Sequence, residues 1–206
     1  MMRYLVFYAV DMAIWSAALV PALAIVGYFR GVKYSLAQRL WILVLALYLA
    51  GVYNVAGGPE LPYIAPDFNM NLIPIIDIFN DPWAYLLTSV LNVIMFIPMG
   101  FILPLLWKGF RSVKRICITG FAMSLIIELA QLLNHRISDV DDLITNTLGA
   151  FLGYCILMAI NKRRPILLHG AGKGIRQLMV VAAVVILIMF VLRPYVTMTV
   201  YSLMFG

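Results

Sequence analysis

Apolar runs of about twenty residues, the length that crosses a bilayer as a helix, recur six times along the chain. They fall at 4–29, 38–56, 84–107, 113–133, 140–160 and 178–200. Short basic turns separate most of them, and one long loop, 57–83, parts the second from the third. The alternation predicts an all-α protein, a polytopic transmembrane helical bundle of about six spans. The long loop, "GGPELPYIAPDFNMNLIPIIDIFNDPW", is rich in proline and has no Lys or Arg. Its stretch "NLIPIIDIF" (71–79) is apolar but too short to span, which predicts a re-entrant or interfacial segment able to cover a nearby site. No repeat, low-complexity tract or soluble domain breaks the pattern. Residues 1–206 therefore read as a single integral membrane domain.

Polar positions inside the spans are few, and they align. An ionisable residue at mid-span costs about 2.5–3.5 kcal/mol on insertion scales, so each one needs a reason. In "SLIIELAQ", Ser124, Glu128 and Gln131 step by i, i+4, i+7 and share one helical face. Asp139, Asp142, Asn146, Gly149 and Gly153 recur at three- and four-residue steps, again one face. Glu128 lies about 20 Å along its helix from Arg115, and Asn92 about 24 Å from Lys108. Asp11 in the first span sits at a comparable depth. Carboxylates and carboxamides from separate helices are thus expected at one level, with Asn92, Glu128, Gln131, Asp139, Asp142 and Asn146 lining one pocket and Arg136 at its rim. Two readings of Asp139 and Asp141 stay open. They can act in a ligand site, or they can start a helix, with Ser138 as N-cap and Asp141 at N3 as in a capping box. Gly149 and Gly153 form a GxxxG step read as close helix packing. Pro98 and Pro104 read as architectural bends. Arg193, beside Pro194 in the last span, either snorkels outward or neutralises the acids.

Composition sharpens the membrane reading. The chain is 64% hydrophobic and 12% charged, with mean hydropathy +0.99; soluble domains are about 45–50% apolar and about 25% charged. The net charge of +6 would suggest nucleic acid until the charges are located. Arg30, Lys33 and Arg39 join spans one and two; Lys108, Arg111, Lys114 and Arg115 join three and four. Lys162, Arg163, Arg164, Lys173 and Arg176 lie between five and six. Only Arg3, Arg136 and Arg193 fall elsewhere, and no acid stands in these turns. Positive residues stay cytoplasmic, so these turns are expected inside and both termini outside, with contact to membrane lipids but no nucleic-acid partner. The "PALA" at 21–24 resembles a signal-peptide cleavage site. Cleavage would invert the later loops, and Asp11 interrupts the apolar run, so an uncleaved first helix is expected. Cys117 and Cys155 lie in apolar runs and read as buried thiols, not as a disulfide framework. Neither His135 nor His169 has metal-site spacing. No metal or cofactor is expected.

Taken together, "NLIPI" (71–75), "NVIMFIPMGFILPLL" (92–106), "SLIIELAQL" (124–132) and "RISDVDDLITNTLGAFLGY" (136–154) resemble the VanZ-like family, over about 71–155 of the chain. The matching positions are Asn71, Pro74, Asn92, Pro98, Gly100, Glu128, Gln131, Arg136, Asp139, Asp142, Asn146, Thr147, Gly149 and Gly153. The resemblance implies a small bacterial integral membrane protein, associated through the family's namesake with resistance to the glycopeptide teicoplanin. It also marks Asn71, Pro74, Pro98, Gly100, Gly149 and Gly153 as structural positions.

The leading functional expectation is a cell-envelope protein whose outward acidic pocket binds an amphipathic ligand, either a lipid-linked cell-wall precursor or a lipoglycopeptide. One alternative is an intramembrane enzyme on a lipid-linked substrate, with Glu128 and Asp142 as paired acid and base or, against the lack of metal-site histidines, with Asp139 and Asp142 holding a divalent metal. Another is a small transporter or flippase with proton-linked carboxylates. No GxSxG or Ser/His/Asp arrangement is present. No internal repeat supports a transporter, although so short a chain is compatible with a homo-oligomer.

Overall fold

The computed structural model describes residues 34–61, 64–68, 70–134, 138–163 and 173–205. The expected first span with Asp11 lies outside these residues, as do His135, Arg136 and His169. The described residues are mostly helical. In chain order they form α1 (Leu36–Val55), β1 (Met70–Asn71), a 3₁₀ turn (Ile76–Phe79), α2 (Pro82–Leu106), α3 (Val113–Gln131), β2 (Ser138–Asp139), α4 (Val140–Arg163) and α5 (Ile175–Leu187). A π-helical turn (Ile188–Leu192) then leads into α6 (Arg193–Phe205).

Among the described residues, four helices are long and apolar enough to cross a membrane: α1, α2, α4 and the continuous run Ile175–Leu203. That is the pattern of a multi-pass membrane protein, but not the full six of the hydropathy reading. The helix at 113–131 forms as expected, yet within 19 residues it holds Lys114, Arg115 and Glu128. Length and composition alone therefore do not make it a span.

Local sequence explains where the helices begin. Ser35 caps α1: its Oγ accepts the Gln38 N–H at 3.3 Å and the Gln38 Oε1 accepts the Ser35 N–H at 3.0 Å, a capping box. Asp81 caps α2, its Oδ1 accepting the Trp83 and Ala84 N–H groups at 3.1 and 3.0 Å, with Pro82 preset for the first turn. Lys162 and Arg163 close α4 at the negative end of its dipole.

The chain divides into two compact units, one of Met1–Ile64 with Gln177–Gly206 and one of Ala65–Arg176. In the first, Pro194 supplies no N–H to the Phe190 carbonyl four residues earlier, which accounts for the π turn. The Leu61 N–H takes up that carbonyl at 3.0 Å, and Arg193 pairs with Glu60 at 2.6 Å. Arg193 thus pairs with an acid of the long loop within its own unit.

In the second unit, α4 packs against α2 and α3. A Cβ at Gly100 would strike the Ala150 carbonyl, one at Gly149 the Val93 carbonyl, and one at Gly153 the Ile97 carbonyl. The two backbones therefore touch, as the GxxxG reading required. At the basic end, Arg111 Nε donates to the Pro104 carbonyl (3.1 Å) and Arg115 Nη1 to the Gly109 carbonyl (2.7 Å), tying the turn between α2 and α3. At the opposite end, β1 pairs in parallel with β2, Met70 beside Ser138 and Asn71 beside Asp139. The Ala65 and Asp67 N–H groups donate to the Leu133 and Leu132 carbonyls at 2.9 and 2.8 Å. Cys117 and Cys155 are free and half-buried.

Candidate functional site

The strand pairing lays the loop 65–81 across the start of α4, and the acidic residues meet there. Asp139 stands immediately before α4, and its Oδ1 accepts the Asp141 N–H at 2.9 Å. Asp139 is therefore the capping carboxylate, in place of Ser138. Asp141 completes no capping box. Its Oδ2 accepts the N–H of Ile75 at 2.8 Å. Ile75 has φ of 65°, rare for a β-branched residue, so the carboxylate holds the loop in a conformation the side chain resists. Asn71 Nδ2 bridges Asp77 Oδ2 (3.0 Å) and Asp139 Oδ2 (3.4 Å), and Asn80 Nδ2 donates to Asp77 Oδ1 at 3.3 Å.

Behind this layer lies a second one. Asn92 of α2 donates to Asp142 Oδ1 at 2.6 Å. From α3, Ser124 Oγ donates to the Asp142 carbonyl at 3.1 Å and accepts from Asn146 Nδ2 at 2.9 Å. Glu128 Oε2 accepts the Asp139 N–H at 2.7 Å. The carboxyls of Glu128 and Asp142 stand within interacting reach of each other. Glu128 is 2% exposed and Asn146 1%, and neither Glu128 Oε1 nor Asn146 Oδ1 has a hydrogen-bond partner among the described residues.

Between the layers opens a cleft of about 310 Å³, lined by Asp77, Asn80, Asp81, Ala84, Tyr85, Thr88, Ser89, Asp139, Asp141 and Asp142. Among the described residues of the lining, five are aspartates and none is Lys or Arg. Burial raises the Asp139 carboxyl above the ordinary aspartate value of 3.8; the Asp141 N–H bond opposes this, and the Asp141 and Asp77 charges add to it. Tyr85 stands beside Ser89 and Asp141.

The structure thus gathers Asn92, Glu128, Asp139, Asp142 and Asn146 as the spacing suggested, although only Asp139 and Asp142 line the cleft. Gln131 is buried on the same face of α3. Arg136 lies outside the described residues. Sequence reasoning missed Asp77, Asn80, Asp81, Tyr85, Thr88 and Ser89. Their signal was the i, i+4, i+7, i+8 step from Asp81 through Tyr85, Thr88 and Ser89, disguised as an ordinary helix start. Among the described residues, no group of His, Cys, Asp or Glu is arranged to hold a metal ion.

A family model described as VanZ/LLP1 matches residues 39–161, a wider stretch than the motifs alone mark out. No curated protein and no solved structure matches the chain. The matched region takes in the second predicted span, the long loop and every residue of the cleft. With more than half of its length covered, the chain belongs to the VanZ/LLP1 family.

Proposed function

We propose that this is a bacterial cell-envelope membrane protein whose acidic cleft opens on the outer surface and binds the head of an amphipathic ligand. The ligand is a lipid-linked wall component or a lipoglycopeptide, and binding contributes to glycopeptide resistance of the teicoplanin type. In this reading the chain crosses the membrane six times, with both termini outside. The observation that carries it is the cleft: 310 Å³ lined by five aspartates, in a unit otherwise built of apolar helices. Acids in such a setting are costly, and capping explains only Asp81 and Asp139 among them. Membership of the family supports the resistance role.

The adjacency of Glu128 and Asp142 supports an enzymatic second reading, one group as acid and one as base. It is the weaker of the two, since of that pair only Asp142 lines the cleft.

The test is teicoplanin and lipoglycopeptide susceptibility of a sensitive Gram-positive host expressing the wild type or the double variant Asp142→Asn, Glu128→Gln, with membrane abundance measured alongside. Wild-type protein is expected to raise resistance and the double variant, at equal abundance, to lose it. Full resistance from the double variant would make these carboxylates structural and end the reading.

A further inference from the structure

The acids of the Ala65–Arg176 unit all lie at or near the end where β1 pairs with β2. None occurs between Asp81 and Glu128, and none follows Asp142 anywhere in the chain. Residues 164–172, outside the described set, add Arg164 and no acid. The opposite end is basic, and its segments meet around Gly109. Lys108 precedes that glycine, and Arg115 Nη1 donates to its carbonyl at 2.7 Å. A Cβ at Gly109 would strike the Lys173 carbonyl, and one at Gly174, whose φ is 79°, would strike the Trp107 ring. The segment before α5 is therefore seated on the turn between α2 and α3. Trp107 and Phe110 are buried under this contact, and Arg111 Nε is tied to the Pro104 carbonyl at 3.1 Å. Lys108, Lys114, Arg115, Lys173 and Arg176 stay exposed. Fixed backbone thus gathers like charges that repel one another, and an anion among them relieves the repulsion.

A second feature adjoins the first. Lys114, Ile118, Phe121 and Leu125 step by i, i+4, i+7, i+11 along α3. Leu152, Ile156, Ile160 and Arg163 step by i, i+4, i+8, i+11 along α4. All eight are exposed. Each helix therefore carries an outward apolar stripe that ends in a cation at the basic end. That is the surface complement of an amphiphile with an anionic head. A phosphate accepts charge-assisted bonds from both ammonium and guanidinium groups. A zwitterionic head brings its own cation, which this surface repels.

We propose that the basic end of this unit binds anionic phospholipid, the phosphate among Lys108, Lys114, Arg115 and Lys173 and an acyl chain along the stripe of α3. The surface lies at the other end of the unit from the acidic cleft and does not depend on what the cleft binds.

The experiment is calorimetric titration of the full chain in non-ionic detergent with dioctanoyl phosphatidylglycerol, dioctanoyl phosphatidylcholine and glycerol 3-phosphate. Phosphatidylglycerol is expected to bind roughly tenfold or more tightly than the other two, and added salt should narrow its lead over phosphatidylcholine. Lys108→Gln, Lys114→Gln and Lys173→Gln should each weaken phosphatidylglycerol about fivefold, the effect of one charge near a membrane surface. Lys→Arg at the same positions should keep the binding. These side chains are exposed and make none of the hydrogen bonds named above, and the comparison of ligands on wild-type protein stands without any variant. Equal binding of phosphatidylcholine overturns the proposal. Glycerol 3-phosphate bound as tightly as phosphatidylglycerol would leave a phosphate site and remove the lipid. If Arg39→Gln, in the other unit, weakens phosphatidylglycerol as much as Lys114→Gln does, net charge and not this surface attracts the lipid, and the proposal falls.

Discussion

Asp139 does three things at once: its Oδ1 caps α4, its N–H occupies Glu128, and its second oxygen meets Asn71. Its carboxyl is nevertheless held above the ordinary 3.8, chiefly by burial, so the folded state takes up its proton more readily than the unfolded chain does. A raised carboxylate contributes stability that is full below about pH 3.8, the unfolded value, and is lost as pH rises through the folded value. Asp139→Asn keeps an oxygen for the Asp141 N–H and removes the charge. The variant should therefore unfold at a higher temperature than wild type at neutral pH, and the gap should close as pH falls below about 4, in thermal melts of both proteins in the same detergent. A variant less stable than wild type at pH 7 would show that the charge itself supports the fold. The spacing of Asp139 and Asp142 was legible in the sequence because a helix repeats locally. The link from Asp141 to Ile75 spans 66 positions, and no periodicity reports it.

The helices α2 and α4 meet backbone to backbone, and this contact sets the Asn92–Asp142 bond. Gly149 and Gly153 could be read from their spacing, but their partners Val93 and Ile97 could not, because a small residue does not say which surface it admits. Overpacking costs typically about 1–3 kcal/mol. At Gly153 the obstacle is the Ile97 carbonyl, which cannot rotate away as a side chain would. Gly153→Ala should cost that much in chemical or thermal unfolding and lower ligand affinity with it. Gly51 of α1 meets nothing within 4 Å of an added Cβ, so Gly51→Ala should be neutral or stabilising by about 0.5–1 kcal/mol through helix propensity. If both substitutions had equal effect, the close approach would not be holding the bundle. The β1–β2 pairing was illegible for a related reason: it joins Asn71 to Asp139 across 68 positions, and a two-residue strand leaves no pattern.

For the molecule as a whole, the apolar runs predicted nearly every described helix to within a few residues, because burial in lipid demands length and composition that sequence displays directly. Two features resisted that reading: α3, where Lys114, Arg115 and Glu128 compete with the apolar residues, and the side of the membrane, which only the distribution of basic turns addresses. In the proposed topology, that distribution puts the turn before α3 inside and the loop that builds the cleft outside. In a chain whose Cys117 and Cys155 are replaced by alanine, Pro66→Cys and Lys114→Cys put a thiol at one exposed position on each side. A membrane-impermeant maleimide applied to intact cells should modify Pro66→Cys at once and Lys114→Cys only after permeabilisation. The opposite pattern would turn the cleft toward the cytoplasm, where an antibiotic or wall component held in the outer leaflet never arrives. The ligand would then have to be sought among cytoplasmic amphiphiles. Modification of both thiols in intact cells would mean that α2 and α3 do not form a membrane-crossing pair, and the six-span topology would give way to one in which α3 lies along the outer surface.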